Sequence, residues 1–105
     1  MDHQKLRKKI VNDLKKQLKK NGTVGNYYTD LVDDYMRLWD TKNLLIEDIE
    51  KRGAVVDYVS NNGTANKRKN DSVGELVKVN DRMIKLLEAL GITPERDVID
   101  DDDEM

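Results

Sequence analysis

The chain has 105 residues, 37% of them hydrophobic and 38% charged, no cysteine and a net charge of -2, which is enough for one small domain and too little for a second independent core. A disulfide framework and a thiol nucleophile are excluded, and no apolar run approaches the roughly 18 to 20 residues of a membrane span or the core of a signal peptide. A soluble protein of a reducing interior is expected, with its charge polarised along the chain: eight basic residues oppose two acids between Met1 and Lys20, and seven acids oppose one base from Glu95 onward.

The first element places Leu6, Ile10, Leu14 and Leu18 at steps of four, with Val11 beside them, and stops at Asn21-Gly22. That spacing predicts one amphipathic helix over residues 1–20. Its apolar arc spans roughly 140° at about 100° per residue. Lys5, Lys8, Lys9, Lys15, Lys16, Lys19 and Lys20 fall opposite, and Arg7 alone intrudes on the apolar side. A short polar linker, Thr23 to Asn26, comes next.

The second element, Tyr27 to Arg52, carries Tyr28, Leu31, Val32, Tyr35, Met36, Leu38, Trp39, Leu45, Ile46 and Ile49 at helical spacing, with Gly53 as the stop. Its apolar arc approaches roughly 180°, wider than one neighbour on a small protein covers. Two faces should therefore meet different partners, one of them a second copy of the chain. Tyr35, Leu38, Trp39, Leu45 and Ile49 are the expected interface residues. With no Phe and a single Trp, the core must be aliphatic, and burying apolar surface between copies is a common remedy for so thin a core. Asp30, Asp33 and Asp34 near the start of the helix are read as favouring its dipole.

Ala54 to Ser60 is β-branched and aromatic, and Asn61-Asn62-Gly63 supplies a turn, so a small hairpin is expected. Lys67, Arg68 and Lys69 come next on the arm to the last helix, either as a solvated loop or as a phosphate contact. That helix is predicted to open with a capping box of Ser72 and Glu75 and to end at Gly91 and Pro94. Val73, Leu76, Val77, Met83, Ile84, Leu87 and Leu90 form its expected buried stripe. Asn80 falls within the stripe, where a polar residue either bonds locally or fixes register across an interface. The fold class is thus mainly α: a basic lead helix, a long central helix, a short hairpin-like insert and a last helix packed on the central one. The chain divides into a basic helix (1–20), a helical core and oligomerisation region (23–94) and an acidic tail (95–105) expected to be disordered.

Chemistry is sparse. The single histidine, His3, lies at the N-terminus, and the two serines, Ser60 and Ser72, sit in a hairpin and a cap. No GxxxxGK[ST] or GxGxxG loop cradles a phosphate, and the acidic run Asp100 to Glu104 lacks the glycine and ligand spacing of a calcium loop. No catalytic residue, cofactor or metal is expected, and the chain reads as a non-enzyme.

Taken in order, IEDIEKRG (Ile46 to Gly53), NDS (Asn70 to Ser72) and LGITPER (Leu90 to Arg96) resemble the small subunit of phage terminases, and the resemblance extends over Gly22 to Arg96. It implies a non-enzymatic partner in viral genome packaging that forms a homo-oligomeric ring in the cytoplasm of the bacterial host, binds double-stranded DNA and passes it to the terminase large subunit, which holds the ATPase and nuclease. No helix-turn-helix pattern precedes the oligomerisation region. DNA contact is therefore assigned from the residues themselves: Lys8, Lys9, Lys15, Lys16 and Lys19 on one helix side, with Lys67, Arg68 and Lys69 as a second patch. The competing reading is a helical regulator whose basic helix docks an acidic protein or an anionic membrane.

Overall fold

The computed structural model describes residues 2–23 and 25–94. It contains α1 (His3–Lys20), α2 (Asn26–Arg52), β1 (Val55–Val59), β2 (Ala65–Lys69) and α3 (Asp71–Leu90). The architecture is the mainly helical one expected, in the expected order; the acidic tail, residues 95–105, lies outside the described residues.

Local chemistry sets each boundary. The Asp2 carboxylate accepts from the Gln4 amide at 3.1 Å and caps α1, whose last turn carries Lys19 and Lys20 where the helix dipole favours cations. The α2 helix ends at Gly53, whose N–H donates to the Ile49 carbonyl at 2.7 Å. Gly91 closes α3 at φ 71°, a left-handed value that a Cβ disfavours.

The cap of α3 departs from the sequence expectation. Asn70, not Ser72, is the N-cap, and its side chain accepts from the Ser72 amide at 2.9 Å. The Ser72 hydroxyl turns away and donates to Asp48 Oδ2 at 2.7 Å. A carboxylate on the preceding helix outcompeted the local box. The Asp30, Asp33 and Asp34 reading is also corrected, because the first turn of α2 holds no acid and the dipole effect fades beyond that turn. Asp34 instead accepts from Arg37 at 2.7 Å.

Asp48 lies against Ser72 near the hairpin, while Asp34, Arg37 and Leu38 line a groove with Arg82, Lys85 and Leu86 farther along. The helices α2 and α3 are thus antiparallel. Helix α1 also runs antiparallel to α2: His3 meets Trp39 edge-on at 6.0 Å, and Leu18 lines a surface with Tyr28 and Val32. The core is Leu14 and Leu18 from α1, Val32, Met36 and Trp39 from α2, Met83 and Leu90 from α3, and Ile92 beyond it. Both sides of the wide α2 arc therefore meet partners within the chain, α1 over Trp39 and α3 over Leu38, and the arc alone no longer calls for a second copy.

The expected stripe on α3 is only partly buried. Val77 and Ile84 are 66% and 56% exposed, and Asn80 between them is exposed too. Helical spacing gathers these three on one strip beside the face that carries Met83 and Leu90.

The strands form one antiparallel ribbon with register from Val55↔Lys69 to Val59↔Ala65. Gly63 at φ 86° makes its turn, with its N–H on the Ser60 carbonyl at 2.8 Å. The basic cluster lies within β2 and not on a connecting arm. Alternation puts Lys67 and Lys69 on one face of the ribbon and Arg68 on the other.

Candidate nucleic-acid interface

On α1, Lys5, Lys8, Lys9, Lys15, Lys16 and Lys19 are all exposed, and no ion pair is found for any of them among the described residues. From Lys5 to Lys19 the row spans about 21 Å at 1.5 Å per residue. Mutual repulsion is tolerable for flexible lysines in water, where screening weakens it.

Three devices fix which way the row faces. Leu14 and Leu18 are buried in the core. Arg7, a charged residue on the apolar arc, donates from Nε and Nη2 to the two carboxylate oxygens of Asp40, at 2.9 Å each. That fork raises the guanidinium pKa, chiefly through the hydrogen bond with Asp40, and gives α1 a geometrically specific attachment to α2. Gln17 Nε2 donates to the Thr93 carbonyl at 2.9 Å, tying α1 to the segment after α3. Arg7 stood out in the sequence as an exception; Asp40, 33 positions away, gave no local signal as its partner.

The second patch is built differently. Lys67 Nζ donates to Asp57 at 2.7 Å across the strands, and Arg68 donates to Asp71 at 2.6 Å while sitting 5.8 Å from the centroid of the Tyr58 ring. Two of its three charges already have carboxylate partners. The two patches lie on different elements, α1 and β2. Arg7 of α1 meets Asp40, and the helix continues for about 18 Å from Asp40 to Arg52 before the ribbon begins.

Sequence reading missed a polar node at the base of the ribbon. Asn70 is fully buried: its amide nitrogen donates to Asp48 Oδ2 at 3.1 Å and to the Gly53 carbonyl at 2.9 Å, and its oxygen accepts from Arg52 at 3.2 Å. Asp48 also accepts two hydrogen bonds from Arg52, at 2.7 and 2.9 Å. Arg52 foremost, then Ser72 and Asn70, hold the Asp48 carboxyl far below the usual carboxylate range. The node locks the end of α2 to the start of α3 and fixes where the ribbon departs.

Of the residues expected at an oligomer interface, Trp39 is buried in the chain's own core, Tyr35 and Leu38 are half-buried against it, Leu45 and Ile49 are half-buried, and Asn80 is exposed. Burial raises the Tyr35 phenol pKa. Among the described residues no group of three or more His, Asp or Glu converges as a metal site, and no helix is long and apolar enough to cross a membrane.

The described residues thus form a small, mainly helical protein with an exposed cationic face on α1. The family model for the phage terminase small subunit matches residues 8–97; the chain belongs to that family, whose members generally act as non-catalytic DNA-binding regulators of phage DNA packaging. No curated protein and no solved structure matches the chain.

Proposed function

We propose that this chain is a non-enzymatic small terminase subunit that binds duplex DNA through the lysine row of α1, assembles as a homo-oligomeric ring, and delivers the DNA to the large ATPase and nuclease subunit in the host cytoplasm. The observation that carries the DNA assignment is the contrast between the two patches. Among the described residues the six lysines of the α1 row have no carboxylate partners, whereas Lys67 and Arg68 are already paired. Phosphates would gain the full attraction of the first patch and would have to displace aspartates at the second.

Assembly is supported by the strip of Val77 and Ile84 and by further exposed apolar residues, Leu44 at 67% and Tyr27 at 64%. A ring repeats the lysine row around its circumference, so weak contacts per subunit add through avidity. Duplex binding measured across a salt series tests the reading directly. Log K should fall linearly with log salt at about -0.9 per phosphate engaged, and the large subunit should co-purify with the assembled chain. A salt-independent affinity, or a chain that leaves DNA unbound at low salt, would reject it.

A further inference from the structure

Pro94, the last described residue of the C-terminal segment, lies against α1. Gln17 holds the Thr93 carbonyl at 2.9 Å, Asn21 donates to the Gly91 carbonyl at 3.4 Å, and Ile92 is buried in the core with Leu14 and Leu18. A cleft of about 460 Å³ between α1 and this segment is walled by Asp13, Lys16, Gln17, Lys20, Thr93 and Pro94, with Ile92 at its base. The chain beyond Pro94 therefore starts beside the lysine row. Its sequence is anionic: Asp97, Asp100, Asp101, Asp102, Asp103 and Glu104, with no base among residues 97–104.

We infer that this acidic segment docks on the lysine row of α1 in its own chain and competes with DNA for it. The consequence for DNA rests on the duplex-binding role proposed above; the docking itself does not. Ten residues beyond Pro94 reach about 33 Å when extended, against about 21 Å for the row from Lys19 back to Lys5. The whole row is thus within range of a segment tethered at its C-terminal end. Tethering gives the carboxylates an effective concentration of about millimolar, so a contact too weak to matter between separate molecules becomes populated. Both competitors offer a line of anionic oxygens, but duplex DNA carries a denser charge and releases condensed counterions, so extended DNA displaces the segment where short or isolated anions do not. A segment docked about nine-tenths of the time lowers the apparent DNA affinity about tenfold.

The test uses the full chain and a variant carrying D97N, D100N, D101N, D102N, D103N and E104Q. Amide and lysine side-chain NMR signals of residues 15–20 are compared without DNA, at low and high salt, and a fluorescent duplex is titrated into both proteins. Shifts at Lys15, Lys16 and Lys19 that differ between the proteins at low salt and converge at high salt are expected, with duplex affinity about tenfold higher for the variant at low salt. Identical α1 signals overturn the docking, even if the variant binds DNA more tightly, since charge removal alone would then explain the gain. Differing α1 signals with equal duplex affinity overturn the competition. Differing α1 signals when neither protein binds duplex leave the docking standing and reject the DNA-binding role of the face.

Discussion

Arg7 and Asp40 face each other in a two-pronged ion pair that joins a charged residue on the buried arc of α1 to the middle of α2. Both side chains stay partly solvated, at 34% and 46% exposure, so screening limits the pair to about 0.5–1 kcal/mol. Its contribution is orientation. Arg7→Ala should lower stability by about that amount in a denaturant titration, and a double-mutant cycle with Asp40→Ala should return a coupling of similar size. A coupling of zero would mean that apolar packing alone orients α1.

Asn70 is the position where a single atom-level change should cost most outside the apolar core. Asn70→Ala removes a helix cap, worth about 1 kcal/mol, and strands the half-buried Gly53 carbonyl and part of Asp48, adding about 1–3 kcal/mol. Chemical denaturation should show a loss of about 2–4 kcal/mol. A loss no larger than that of an ordinary surface substitution would show that water replaces the amide.

Asp48 predicts how stability responds to acid. Its folded carboxyl titrates below the ordinary value of 3.8, so the unfolded chain takes up the proton first as pH falls. The stabilisation is complete above that ordinary value and is lost progressively below it, toward the lower folded pKa. Asp48→Asn should therefore flatten the stability curve below about pH 5 while leaving its shape near neutrality unchanged. An unaltered acid limb would assign the acid sensitivity to other carboxylates.

Helix placement and the two-stranded insert were legible because local signals dominate them: Leu6 to Leu18 at steps of four, glycines at positions 53 and 91, and the Asn-Asn-Gly turn. The cap at Ser72 was not, because the pattern of Ser72 and Glu75 satisfies a local rule while Asp48, 24 residues earlier, captures the hydroxyl. Trp39 and Val77 illustrate a related point. Periodicity identifies an apolar face but not what covers it: α1 covers Trp39, and among the described residues nothing buries Val77. For the candidate site, charge and spacing pointed to the α1 lysines and to β2 alike, and only the positions of Asp57 and Asp71 separate the two patches.

Assembly is expected to depend on the outer strip of α3. Val77→Lys combined with Ile84→Lys adds charge at exposed positions, so each chain should keep its helical content and its core while light scattering reports a smaller particle. Trp39→Ala is the contrasting variant. It excavates the core and should cost about 3–5 kcal/mol, lowering the denaturation midpoint. If the double lysine variant assembles like the parent chain, this strip is not the assembly surface.

The two basic patches give the last and sharpest prediction. Lys15→Ala, Lys16→Ala and Lys19→Ala together remove half of the α1 row without touching Leu14 or Leu18, so fold and assembly should persist. Duplex affinity should fall for every sequence alike, because phosphate contacts position a protein without reading bases. The log-log salt slope should flatten by about one for each lysine that engages a phosphate. The matched triple variant, Lys67→Ala, Arg68→Ala and Lys69→Ala, removes the same formal charge but leaves unpaired the Asp57 and Asp71 carboxylates that Lys67 and Arg68 held. If phosphates never displaced those aspartates, its salt slope should stay close to that of the parent chain, with only a uniform drop from longer-range repulsion that fades within about a Debye length of 8 Å at physiological salt. Equal flattening by both variants would make the ribbon a full partner in DNA contact. Flattening by the second alone would move the interface from α1 to β2.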